Sequence, residues 1–116
     1  MKLFVDDIRD AYDDSWTVVR KVEEAINFIS KYYPQITHIS LDHDIENRPS
    51  DETFKPVAHY IGAILMLTFD EQIIRVHSDN PVGGKELVEI MADYGVESYY
   101  DPFTSEADFK KKFGLK

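Results

Sequence analysis

Cysteine is absent from this chain of 116 residues. Disulfide staples and thiolate zinc sites are therefore excluded. The absence also fits the cytoplasmic location expected for this chain. Long apolar runs are missing too. The best stretch, residues 57–69, is too short and too interrupted to span a bilayer. The opening Met1-Lys2-Leu3-Phe4-Val5-Asp6-Asp7 lacks the apolar core of a signal peptide, so no membrane partner is expected. Basic residues are in short supply: 13 Lys and Arg stand against 22 Asp and Glu, a net charge of −9. Bulk duplex DNA is thereby an unfavourable partner, because phosphate-backbone binding needs a basic surface. A small phosphate held by a few local donors, a metal ion or a basic protein all remain compatible with that charge.

What is present reads as one α/β domain over residues 1–116. The hydrophobic fraction of 43% and aromatic fraction of 13% fit a globular core, and the length suffices to bury one. Short β-like runs are read at residues 3–5, 16–20, 36–41, 73–76 and 96–100. Helical spacing is read over residues 21–33, 53–67, 85–94 and 106–113. Pro34 ends the first helix, Pro56 sits in the first turn of the second, Gly95 follows the third and Ser105 caps the fourth. Strands alternating with helices indicate a parallel sheet. Residues 10–15 and 46–52 are polar loops. Only the first of these separates the first two strands, so the helix expected there is short or missing and one sheet face is thinly covered.

Three polar clusters follow three of the strands. Asp6, Asp7 and Arg9 follow the first, Asp42, His43 and Asp44 the third, and His77, Ser78 and Asn80 the fourth. Ligands of open parallel sheets bind at the carboxyl ends of the strands, so the clusters are expected to share one crevice. His43 and His77 have the proton affinity for acid and base roles near neutrality, with Asp42 beside them. Asp6, Asp7, Asp42 and Asp44 would repel one another unless neutralised. A divalent cation would relieve that, Mg²⁺ or Mn²⁺ ahead of Zn²⁺. Ser78, Asn80, Gly83, Gly84 and Lys85 lie at a strand-to-helix turn, where backbone amides bind anions. Arg9 can clamp a phosphate or pair with a nearby acid.

These strings carry a resemblance that covers nearly the whole chain. Residues 3–7, 39–42 and 94–103 are similar to a response-regulator receiver domain: its paired acids, its phosphoacceptor strand and the stretch ending in Lys-Pro-Phe. Asp101 stands where that lysine belongs, and His77 where the switch Thr or Ser belongs. A closer resemblance is to the receiver-like family of cyclic-phosphate processing domains, found near RNA-repair genes. It rests on Val5-Asp6-Asp7-Ile8-Arg9, Trp16, Ser40-Leu41-Asp42-His43-Asp44-Ile45 and His77-Ser78-Asp79-Asn80-Pro81-Val82-Gly83. Gly84-Lys85-Glu86-Leu87 and Glu46 depart from that family's pattern. The resemblance implies a flavodoxin-like three-layer sandwich with strand order 2-1-3-4-5.

Three functions are compatible with this reading. A phosphoesterase-like enzyme would act on a cyclic or terminal phosphate of a nucleotide or RNA end. A non-catalytic module would bind and sequester a nucleotide at the same crevice. An acidic interaction protein would block a basic partner. A working phosphorelay receiver ranks last, because Asp101 reverses the charge that phosphoaspartate chemistry needs.

Overall fold

A computed structural model describes residues 1–45, 53–66 and 72–115. Five parallel strands form the sheet: β1 (Lys2–Val5), β2 (Trp16–Val19), β3 (His38–Leu41), β4 (Ile73–Val76) and β5 (Tyr99–Tyr100). Their spatial order is β2-β1-β3-β4-β5, the order of the flavodoxin-like α/β fold. The helices are α1 (Val22–Tyr32), α2 (Lys55–Leu65), α3 (Pro81–Asp93) and α4 (Glu106–Phe113). No helix joins β1 to β2, as the polar 10–15 segment predicts.

Side chains alternate across the sheet, and the two faces differ in chemistry. Leu3, Val5, Ile39, Leu41, Ile74 and Val76 face one way. They form one apolar core with Ala25 and Ile29 of α1, Val57, Ala58 and Ile61 of α2, and Leu87 and Met91 of α3. The opposite face carries Phe4, Ser40 and Arg75, all buried. It is covered by Tyr12 of the β1–β2 loop, Trp16 at the start of β2, Phe103 of the β5–α4 connection and Phe109 of α4. Aromatic side chains thus do there what a helix does in a fully wound sheet.

Element ends differ from the sequence reading in an instructive way. Pro34 falls within a short 3-10 turn, Tyr33–Gln35, directly after α1. Helix α3 begins at Pro81, four residues before Lys85, because Asn80 caps it by accepting from the Gly83 amide at 3.1 Å. Proline has no amide to leave unpaired there. Gly95 ends α3 with φ 84°, a conformation that favours glycine. Ser105 caps α4 as expected, accepting from the Asp108 amide at 3.1 Å. The polar loop read at 46–52, like the helical residue Leu67, lies outside the described residues.

Candidate functional site

The ladder hydrogen bonds run one residue past β1, β3, β4 and β5. The amide of Asp6 donates to Val19, that of Asp42 to Val5, that of His77 to Leu41 and that of Asp101 to Val76. Four polar residues therefore sit side by side at the carboxyl edge. Each lies two positions beyond a residue of the aromatic face, so each continues that face. Asp6, Asp42 and His77 converge: one donor atom from each lies within 4.8 Å of the others.

Asp6 is fully buried. Its Oδ1 accepts from the amides of Ile8 and Arg9, each at 3.0 Å, and its Oδ2 faces His77 Nε2 at 2.9 Å. Burial would raise its pKa, but the hydrogen bonds from His77 and these amides outweigh it and bring Asp6 down to about 2. Asp42 has the opposite balance. Burial first, then the charge of Asp6, push it up to about 7, against the His43 amide that its Oδ1 accepts at 2.8 Å. Two neighbouring carboxyls thus hold protons with very different tenacity.

His77 is 0% exposed and both its ring nitrogens are engaged, Nε2 with Asp6 and Nδ1 with Ser40 at 2.7 Å. Phe4 stacks on the ring at 4.6 Å between centroids. Burial lowers its pKa against the pull of Asp6, so the ring is held neutral. His43 is arranged differently. Its Nδ1 lies 2.7 Å from Asp44 Oδ1, while its Nε2 is buried with no hydrogen-bond partner among the described residues, 3.9 Å from Glu86 Oε2. Glu86 itself pairs with Lys55 at 2.6 Å.

The other expected site residues fall into place around these. Asp44 turns toward His43 and is also reached by Asn80 Nδ2 at 3.4 Å. Asp7 is half-buried on the same turn as Asp6. Arg9 donates to the His77 carbonyl at 3.1 Å, pairs with Asp79 and lies over the Phe103 ring. Ser78 is buried and takes the Asn80 amide at 3.1 Å. Gly83 and Gly84 are buried in the first turn of α3, and Lys85 is exposed. The glycine amides are already used: Asn80 Oδ1 accepts from Gly83 and the Asn80 carbonyl from Gly84. What both glycines supply is space. A Cβ at Gly83 would overlap the His43 ring, and one at Gly84 the Tyr100 ring.

A metal fits this centre in part. The carboxylates of Asp6 and Asp42 are hard oxygen donors at the right spacing. His77, the third member of the group, already donates a hydrogen bond from Nε2 to Asp6. The two acids therefore carry the case for a cation.

Sequence reasoning did not single out Tyr12, Ser40 or Arg75 as site residues. Arg75 lies between the rings of Tyr12 and Phe109, each 4.7 Å away, and pairs with Asp101 at 3.2 Å. An arginine inside the apolar run Ile73-Ile74-Arg75-Val76 is a signal that was available. Ser40, a hydroxyl between Ile39 and Leu41 and the first residue of the Ser40-Leu41-Asp42-His43-Asp44-Ile45 motif, offered the same signal, and nothing comparable marks Tyr12.

A five-stranded parallel sheet in this order, with paired acids at its carboxyl edge, defines a receiver-type α/β domain. The family model for the cyclic-phosphate processing receiver domain matches residues 1–93, and the chain belongs to that family. A role in cyclic-phosphate processing follows at that level. No curated protein and no solved structure matches the chain. No helix among the described residues is long and apolar enough to cross a membrane.

Proposed function

We propose that this protein hydrolyses a cyclic or terminal phosphate on a nucleotide or an RNA end. The observation that carries the reading is the pair Asp6 and Asp42, adjacent at the strand ends and split in proton affinity, about 2 against about 7. Such a split separates an acid from a permanent carboxylate. Asp42 holds a proton near neutrality and is the group to protonate the leaving oxygen when a ring P–O bond breaks. His43, with Nδ1 on Asp44 and Nε2 unpaired among the described residues, is the group to take the proton of the attacking water. His77 acts through Asp6, since both its nitrogens are spent. Arg9, Asn80 and Lys85 are assigned as phosphate donors, Arg9 by exchanging its partner Asp79 for the ligand, while the buried Ser78 holds the Asn80 amide. In a metal-bound form a divalent cation, Mg²⁺ or Mn²⁺, would be held by Asp6 and an ionised Asp42, and would supply charge neutralisation for the phosphate oxygens in place of the Asp42 proton.

The test is to incubate the protein with 2′,3′-cyclic nucleotides, a cyclic-phosphate-ended RNA and cyclic oligonucleotides, with and without Mg²⁺, Mn²⁺ or Zn²⁺. Mass spectrometry should find a product heavier by one water, formed by the wild type and not by Asp42→Asn or His43→Ala. A product formed equally by both variants overturns these roles.

A second reading is favoured by one observation: Arg9 and His77 already have partners within the protein. A module that only binds and sequesters a nucleotide fits that closed network. It predicts an unchanged ligand that co-purifies with the protein in stoichiometric amount.

A further inference from the structure

Four side chains form an unbroken chain of hydrogen bonds beneath the acids. The Tyr12 hydroxyl lies 2.8 Å from Ser40 Oγ, Ser40 Oγ lies 2.7 Å from His77 Nδ1, and His77 Nε2 lies 2.9 Å from Asp6 Oδ2. They come from the β1–β2 loop, β3, the end of β4 and the end of β1. Ser40, His77 and Asp6 are all 0% exposed.

The direction of the chain is set from its Asp6 end. A carboxylate only accepts, so His77 Nε2 carries the proton. The neutral ring then presents Nδ1 as an acceptor, and the Ser40 hydroxyl must donate to it. Ser40 Oγ retains lone pairs, and the Tyr12 hydroxyl donates to them. Every proton points toward Asp6, the arrangement in which successive hydrogen bonds strengthen one another.

We infer that Ser40 and Tyr12 are positioning residues of this site, fixing the tautomer and orientation of His77 and through it the carboxylate of Asp6. The packing supports this. Phe4 lies parallel to the imidazole, 8° between planes, and Phe103 meets it edge-on at 5.7 Å. These rings set the plane of the imidazole but cannot tell its two edges apart. A half-turn of the ring would bring Cδ2 to Ser40 and Cε1 to Asp6, losing both hydrogen bonds. The polar contacts at the two ends choose the edge, and Tyr12 removes the other option by occupying Ser40 as a donor. Asp6 is thereby held rigidly beside Asp42, with Oδ2 on His77 and Oδ1 on two amides.

The inference rests on the cyclic-phosphate reading only in placing chemistry next to Asp6, and its test has a part that needs no substrate. ¹⁵N NMR of histidine-labelled protein should show the His77 ring neutral, with Nε2 protonated and Nδ1 shifted as a hydrogen-bonded acceptor. Tyr12→Phe keeps the ring against Arg75 and Phe103, and Ser40→Ala removes one oxygen, so both variants should fold. In each, the Nδ1 signal should move toward that of a free acceptor or of a mixed tautomer, and Ser40→Thr should restore it. On whichever cyclic phosphate the wild type turns over, kcat should fall about tenfold to a hundredfold with KM unchanged, the scale typical of lost supporting hydrogen bonds. A wild-type ring protonated at Nδ1, unmoved signals in both variants, or moved signals with unchanged kcat would overturn the assignment. If the wild type turns over nothing, the hydrolytic reading fails, while the ring signals still decide whether Ser40 and Tyr12 hold His77.

Discussion

Arg75 and Asp101 form an ion pair at 3.2 Å with side chains only 4% and 2% exposed. Asp101 occupies the end of β5 and also binds Lys112 Nζ at 2.8 Å and Thr104 Oγ1 at 2.7 Å. These partners, against the cost of burial, keep it ionised below the usual carboxylate range. The residue that stands where receivers carry a lysine is therefore an anchor for a buried arginine. Removing one partner of a buried pair leaves an uncompensated charge and costs about 3–5 kcal/mol. Asp101→Asn is expected to destabilise the protein on that scale in urea unfolding. Asp101→Lys should do worse, since it sets one cation against another. A stable, phosphorylatable Asp101→Lys protein would contradict this account.

Stability should peak on the acid side of neutrality. Asp42 binds its proton more tightly in the folded state, at about 7 against an ordinary 3.8. Its contribution is complete below about pH 4 and drains away as pH rises through 7. Asp6 works the other way, at about 2 against 3.8. Its contribution, on the order of 2 kcal/mol, is present above about pH 4 and is lost as pH falls toward 2. Denaturant unfolding between pH 2 and 8 should show both limbs. Asp42→Asn should flatten the upper one, and an unchanged upper limb would contradict the raised affinity of Asp42.

Activity should depend on the His43–Asp44 pair more than stability does. A positioned acid or base contributes about 10²–10⁴-fold. His43→Gln is expected to lose rate on that scale, and Asp44→Asn to lose less because the imidazole remains. Circular dichroism should find both folded. Loss of turnover that tracks loss of fold would mean a purely structural histidine.

Gly83 should behave as a steric partner of His43. Gly83→Ala pushes a methyl into the imidazole and is expected to cost about 1–3 kcal/mol and to slow turnover. Val82→Ala, at a position 80% exposed one residue earlier in the same helix, should change stability by under about 0.5 kcal/mol. Thermal melts of the two variants make the comparison.

A divalent cation that binds Asp6 and Asp42 should stabilise the folded chain by mass action, by about 2.7 kcal/mol at a hundred times its dissociation constant. Mn²⁺ titrations followed by thermal melts should show an upward shift in the wild type that Asp42→Asn abolishes. Equal shifts in both proteins would place the ion elsewhere.

The order of elements and the edge that carries chemistry were legible in the residues. Ile73–Val76 reads as a strand because the run is short, β-branched and bounded by polar residues, and it forms one with those bounds. The missing first crossover helix was visible in the polar, Asp-rich 10–15 segment. The start of α3 was not, because Gly83 and Gly84 argue against a helix until Asn80 is seen capping it and two rings are seen filling the glycine notches. The convergence of Asp6, Asp42 and His77 followed from strand ends alone. The difference between two buried histidines, one with both nitrogens engaged and one whose Nε2 has no partner among the described residues, did not.

By itself the sequence determined what depends on neighbours along the chain: the strand and helix periods, the caps, the net charge of −9 and the polar residues that terminate three strands. Only the tertiary structure decided which partners those residues take. His77 meets Asp6 across 71 positions and Ser40 across 37, and Arg9 meets Asp79 across 70. All are set by the parallel register, and for the two buried His77 pairs burial makes each hydrogen bond obligatory and so fixes which nitrogen, and which acid, carries a proton.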